Sequence, residues 1–342
     1  MTQTPGLSHL VKAIGGIPQR RRLPPFASQT FQEWFARRGP SRPGRLRVIV
    51  WPDTFNNYFY PRTAKAAVEV LEALGCQVVV PTSSLCCGRP LYDFGMLSQA
   101  KHQLRRILTA LKSEIDAGTP IVGLEPSCVA VFRDELTNLF PHDVNAMRLS
   151  RQTFTLAEFL QTKLPHALLP ALPFKAIVHG HCHQKAVMKL DAEQTVLERL
   201  GLDFTILDSG CCGMAGSFGF KREHYQTSLK IGNLALLPAV REAAKETMVL
   251  ADGFSCREQL RQTTNRRALH LAEVLHLAMQ KAVERGRGVG NRNGYGAGCP
   301  ERSYFRHTRA ASGATIGRGV LAAFISVATF LIGAKLLGRR HR

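Results

Sequence analysis

The chain has 342 residues, enough for two domains, and its 45% hydrophobic content supports a packed core. Lys and Arg total 45 against 25 Asp and Glu, a formal charge of +20, a balance that often marks a nucleic-acid or anionic-membrane partner. Much of the excess lies towards the ends, at Arg20-Arg21-Arg22, Arg37-Arg38, 285–292, 302–318 and 339–342; with no zinc-finger, helix-turn-helix or RNP pattern, this excludes the common nucleic-acid-binding classes.

Residues 1–45, rich in Pro, Arg and Gly, read as an extended arm or linker with a short helical stretch at 31–38. Residues 45–51 (RLRVIVW) have the composition of a buried strand. Residues 63–74 repeat apolar side chains at helical spacing, and Gly75 closes them as a C-cap. A second strand at 77–81 leads into Cys86. A long helix follows at 96–115, ended by Gly118, then a strand at 121–124 and Pro126-Ser127-Cys128. The same order returns: a strand at 176–179 leading to Cys182, a helix at 192–200 with Gly201, a strand at 204–207 before Cys211, a helix at 225–240, a strand at 247–251, and Cys256. Alternation of this kind predicts an α/β fold of two pseudo-repeated parallel-sheet domains, 46–165 and 166–280. Residues 281–318, rich in Gly and Arg, read as a flexible basic linker. Residues 319–338 close the chain as an apolar helix near the lower length limit for a membrane span, with Lys335 able to snorkel. The basic flanks place the folded part on the cytoplasmic face of the membrane, on a single C-terminal anchor.

Nine cysteines, an odd number, in a chain whose start lacks a secretory pattern argue against a disulfide framework and for metal or redox work. The tripeptide Cys-Cys-Gly occurs twice, as Cys86-Cys87-Gly88 and Cys211-Cys212-Gly213, with Cys128 and Cys256 at similar distances downstream. Ligand sites of parallel sheets lie beyond the carboxyl ends of the strands. Cys86, Cys87, Cys128, Cys182, Cys211, Cys212 and Cys256 all fall there. Adjacent cysteines do not readily pair with each other, but a glycine that follows can turn the backbone so that both thiolates face one centre. Cys182, Cys211, Cys212 and Cys256 make a set of four, which suits a [4Fe–4S] cluster or zinc. His181 and His183 flank Cys182 as extra ligands, hydrogen-bond donors to the ligands or proton carriers. The first half offers Cys86, Cys87 and Cys128, with Asp53 at the position matched to Cys182, either an oxygen ligand or a turn residue. Cys76 reads as a core residue and Cys299 as incidental.

The segments WPDTFNNYF, LCCGRPLYDFGML, GLEPSC, HGHCHQK, GCCGMAGSFG and ADGFSCREQ resemble the duplicated cysteine-rich domains of a known family. It includes the iron–sulfur subunit of glycolate oxidase, the B subunit of heterodisulfide reductase and the C subunit of anaerobic glycerol-3-phosphate dehydrogenase. The resemblance spans about residues 10–280 and is closest to the C-terminal iron–sulfur part of FAD-linked oxidases of the D-lactate dehydrogenase type. The family pattern is a cysteine, then Cys-Cys-Gly, then Cys-x-x-Cys. Glu125 and Gly253 stand where the first cysteine of each Cys-x-x-Cys would fall, and the first half also lacks the leading cysteine.

The resemblance implies an electron-transfer component of a flavin-dependent 2-hydroxy-acid dehydrogenase, inactive alone, that passes electrons to a quinone or another acceptor. It implies an intact [4Fe–4S] centre in the second half and a degenerate first half. FAD is expected on a partner dehydrogenase subunit, with a ferredoxin-like iron–sulfur protein as a second partner, because neither a flavin-binding region nor a ferredoxin cysteine run is present. The alternatives are a heterodisulfide-reductase-type catalytic subunit and a zinc-binding structural module.

Overall fold

A computed structural model describes residues 5–39, 41, 43–286 and 299–310. Seven short strands form its frame: β1 (Leu46–Val50), β2 (Cys76–Val79), β3 (Ile121–Gly123), β4 (Thr153–Thr155), β5 (Lys175–Val178), β6 (Asp203–Ile206) and β7 (Met248–Leu250). The first sheet has the order β2-β1-β3-β4 and the second β6-β5-β7, and every pairing is parallel. Val48, Ile49, Val50, Ile121 and Val122 are fully buried, as expected of parallel strands covered on both faces.

The repeat reaches beyond the three matching strands. Leu269 bridges Leu250 in parallel, on the side of β7 that corresponds to β4 beside β3. A helix follows each of these edge segments, Leu156–Lys163 after β4 and Leu271–Gly286 after Leu269. The helix Leu271–Gly286 packs on Pro61–Ala73 of the first half, and Leu156–Lys163 packs on Asp191–Arg199 of the second. Each half therefore lends its last helix to the other. One core results, running from Val48 and Val50 through Val178 and Leu250 to Leu275.

Several expectations need correction. Residues 96–115 form two helices, Leu97–Ala110 and Lys112–Asp116, joined at Leu111. Likewise 225–240 divide into Tyr225–Gly232 and Leu236–Glu242. The N-terminal arm is no simple linker. It carries a helix, Pro5–Ile14, and the capped helix Phe31–Arg37, and it buries Ile17, Arg21 and Phe31. The basic segment after residue 281 is not wholly linker either. The helix Leu271–Gly286 runs into it, and a further helix, Pro300–Ala310, docks on the body. Glu301 forms a buried ion pair with Arg266 at 2.6 Å, the Tyr304 hydroxyl meets His276 Nδ1 at 3.0 Å, and Cys299 is buried. Among the described residues no helix is long and apolar enough to cross a membrane. The apolar run at 319–338 lies outside them.

Candidate metal centre

The second half gathers its cysteines from three strand ends. β5 runs out into His179, His181, Cys182 and His183; β6 leads to Cys211-Cys212-Gly213; β7 is followed by Gly253 and the helix Phe254–Thr263, which carries Cys256. Gly213 has φ +86°, and a Cβ there would stand 2.1 Å from the Ser228 carbonyl oxygen. Only glycine satisfies both conditions. The turn lets the Gly213 N–H donate to Cys211 Sγ at 3.3 Å. The four sulfurs become neighbours in series, each near enough to act on the next: Cys182 on Cys211, Cys211 on Cys212 and Cys212 on Cys256.

These contacts divide the thiols by charge. Hydrogen bonds from Cys182 and Cys212 hold Cys211 well below the usual thiol range, and one from Cys212 does the same for Cys256. Cys182 is pushed up by its hydrogen bond to Cys211 and then by burial, and Cys212 by its hydrogen bonds to Cys211 and Cys256 and then by burial. Four crowded sulfurs cannot all ionise without a cation among them. The histidines add to this environment. His179 Nδ1 meets Ser209 Oγ at 2.8 Å, and its ring lies beside the Cys256 sulfur. Burial, reinforced by Arg89, pushes His183 down to about 4, so its ring is neutral at neutral pH, and its buried Nδ1 has no hydrogen-bond partner. Ligand atoms of His181, Cys182 and His183 lie within 4.8 Å of one another. Four sulfurs with imidazoles beside them form a soft donor set that fits an iron–sulfur cluster or another soft metal.

Backbone hydrogen bonds fix how the halves correspond. Trp51 N–H donates to the Val122 carbonyl at 2.9 Å, and His179 N–H to the Leu250 carbonyl at 2.9 Å. In that register Cys182 corresponds to Thr54, Asp53 to His181, Glu125 to Gly253 and Cys128 to Cys256. The assignment of Asp53 to the Cys182 position is therefore off by one residue. Asp53 is an N-cap: its Oδ1 accepts from Phe55 N and Asn56 N at 3.0 and 2.9 Å, and its Oδ2 from Asn56 Nδ2 at 2.8 Å. His181 plays the same local part, its Nδ1 accepting from His183 N at 3.2 Å. Thr54 takes the ligand place, its Oγ1 lying 3.8 Å from Cys86 Sγ.

The first half thus offers three thiols and a hydroxyl. Cys87 and Cys128 have their sulfurs 3.0 Å apart, as free thiols. A hydrogen bond from Cys87 draws Cys128 down, but burial, Asp53 and Glu125 outweigh it and push Cys128 up to about 12. Two buried carboxyl groups therefore disfavour the thiolate that a metal needs. Cys86 and Cys87 are also pushed well up, by hydrogen bonds to neighbouring thiols and by burial.

Glu125 works across the junction. Its Oε2 accepts from Phe254 N at 2.8 Å and its Oε1 from the Ser127 hydroxyl at 2.9 Å. Phe254 opens the helix that carries Cys256, and its N-cap, Gly253, has no side chain to cap it. Nothing larger fits there, because a Cβ on Gly253 would lie 2.3 Å from the His181 ring. The first half caps the ligand helix of the second. The paired departures from Cys-x-x-Cys thus meet in space, a link the sequence carries only as an unexplained Glu and Gly.

The family model for a cysteine-rich domain matches twice, over residues 53–133 and 178–261. The chain is 30% identical over 279 residues to the C subunit of anaerobic glycerol-3-phosphate dehydrogenase of Escherichia coli, covering 79% of this chain and 69% of that protein. It is 30% identical over 245 residues to lactate utilization protein A of Bacillus velezensis, covering 68% of this chain and 99% of that protein. It is also 30% identical over 230 residues to D-2-hydroxyglutarate dehydrogenase of Pseudomonas putida, matching 22% of that longer protein. The chain belongs to the family of proteins with a duplicated cysteine-rich CCG domain.

Proposed function

We propose that this protein is the iron–sulfur electron-transfer component of a flavin-dependent dehydrogenase acting on a 2-hydroxy acid of the lactate or glycolate type. Cys182, Cys211, Cys212 and Cys256 would hold the cluster, of [4Fe–4S] type. The observation that carries this reading is the convergence of four cysteines from the ends of three neighbouring parallel strands, near enough to act on one another. A cluster bound there supplies one-electron acceptance and release. The chain's own residues bind it, turn the backbone at Gly213 and keep Cys212 and Cys256 buried. Cys182 and Cys211 stay partly exposed and give the centre an edge for exchange with a partner.

The relatives support the chemistry. Glycerol 3-phosphate, lactate and 2-hydroxyglutarate all carry a hydroxyl on the carbon to be oxidised, and such a carbon gives up hydride to a flavin. A flavoprotein subunit carrying FAD is the donor in this reading, with a ferredoxin-like protein between the two and a quinone or another acceptor beyond. Attachment to the cytoplasmic face of a membrane is part of the proposal and rests on sequence alone, the apolar run at 319–338 and its basic flanks. The test is reduction of the loaded chain under anaerobic conditions, followed by its visible absorbance. Lactate or glycolate with a flavoprotein dehydrogenase bleaches the absorbance, and the hydroxy acid alone leaves it unchanged. Bleaching by the hydroxy acid alone would assign the dehydrogenation to this chain and refute the proposal.

A further inference from the structure

Arg21 belongs to the N-terminal arm, yet it is 1% exposed and bonded to residues of the second half. Its Nε donates to the Gly219 carbonyl, its Nη1 to Gln259 Oε1 and its Nη2 to Ser228 Oγ, each at 2.8 Å. The guanidinium also faces the Tyr225 ring, 5.0 Å from its centroid. All three acceptors are neutral, and among the described residues no carboxylate forms a salt bridge with Arg21. The nearest acid acting on it, Glu258, is bound by Arg261, Tyr60 and Gln262. A buried charge needs a counter-charge nearby.

The three acceptors belong to the segments that build the metal centre. Gly219 closes the loop that begins at Cys211-Cys212. Ser228 lies on the helix Tyr225–Gly232, whose carbonyl at Ser228 limits Gly213 to glycine. Gln259 lies one turn beyond Cys256 on the helix Phe254–Thr263. The Cys212 sulfur is close enough to act on the Arg21 charge. The arm is held beside it by backbone contacts, Arg222 N–H to the Gly16 carbonyl and Arg22 N–H to Gln262 Oε1.

We infer that Arg21 is the buried counter-ion of the metal centre, a positioning residue that ties the Cys212 loop to the Cys256 helix and raises the centre's reduction potential. The inference rests on the reading of that centre as iron–sulfur. A cluster bound by four thiolates is anionic and becomes more so on reduction, so a fixed positive charge nearby favours the reduced form. The same linkage runs in reverse: the bound centre compensates the guanidinium and holds the arm in place.

The test is a potentiometric titration of the iron-loaded full chain, followed by electron paramagnetic resonance. Arg21→Met shifts the one-electron equilibrium at least tenfold towards the oxidised form, a potential about 59 mV lower. Arg21→Lys, which keeps the charge, restores most of it, and Arg22→Ala, whose side chain is exposed, leaves it unchanged. A potential for Arg21→Met equal to that of the wild type overturns the inference alone. A wild-type chain that takes up no iron overturns the functional reading and the counter-ion with it. Should Arg21→Met fail to fold, trypsin cleavage at Arg20 and Arg22 of the wild type decides. Cleavage at least tenfold slower in the loaded chain than in the metal-free chain supports the counter-ion, and equal rates overturn it.

Discussion

Glu125→Ala tests whether the first half has become a structural support for the second. The substitution removes the carboxylate that accepts from Phe254 N at 2.8 Å, deep in the junction between halves. The N–H left behind is the first of a helix whose N-cap residue, Gly253, offers no replacement. A buried donor without a partner costs about 1–3 kcal/mol, and loss of a helix cap costs about 0.5–2 kcal/mol. These ranges describe the same bond, so about 2 kcal/mol is the expected loss. At about 2.1 cal/mol/K of unfolding entropy per residue, a body this large melts about 3 °C lower for such a loss. Glu125→Gln keeps an acceptor oxygen for Phe254 N and loses less than half as much. Thermal melting of the metal-free, reduced protein separates the two variants, and iron uptake then reports whether Cys256 is still placed. A Glu125→Ala protein that melts with the wild type, or a Gln variant as damaged as Ala, would refute this role for the carboxylate.

Three further outcomes follow from the same structure. Cys86→Ser and Cys128→Ser remove less iron than Cys182→Ser and Cys256→Ser, because Thr54 stands in the ligand place of the first half and Asp53 and Glu125 disfavour the Cys128 thiolate. The opposite ranking by iron analysis would move the centre to the first half. Thr54→Cys supplies the missing thiol and raises bound metal per chain when the purified protein is loaded; an unchanged stoichiometry would contradict the register that pairs Thr54 with Cys182. Burial and Asp252 raise the Glu193 carboxyl from 4.5 to about 8. The unfolded chain releases that proton at lower pH than the folded one, so stability falls as pH rises from about 4.5 to about 8. Denaturant midpoints across that range flatten in Glu193→Gln, and an undiminished slope would remove Glu193 as the cause.

How far the sequence reveals this molecule depends on the residue. β1, β3 and β7 are visible as short runs of Val, Ile and Leu because they are buried on both faces, whereas β2, β5 and β6 keep an alternation of more and less buried residues. β4 escapes notice because Thr153–Thr155 is three residues long and only two of its side chains are buried. Cys-Cys-Gly announces its turn, since a glycine is required after the thiols. Thr54 does not announce itself. Pairing the halves by residue type selects the neighbouring acid, Asp53, whereas the ladder bonds at Trp51 and His179 set the register one residue later. Arg21 is one of three consecutive arginines in a basic arm. Composition assigns all three to solvent, and only the distant acceptors Gly219, Ser228 and Gln259 distinguish the buried one. Glu125 and Gly253 are legible as departures from a pattern, but their shared cause, the His181 ring beside the Gly253 backbone, is three-dimensional.

The central claim is that Cys182, Cys211, Cys212 and Cys256 hold one iron–sulfur centre. Its most direct test is iron and acid-labile sulfide per chain after anaerobic loading, in the wild type and in Cys211→Ser, with absorbance read near ~400 nm for iron–sulfur charge transfer. Matched iron and sulfide with a broad band are expected in the wild type, and loss of most of both in Cys211→Ser. Equal iron and sulfide in the two proteins, or zinc without sulfide in the wild type, would contradict it.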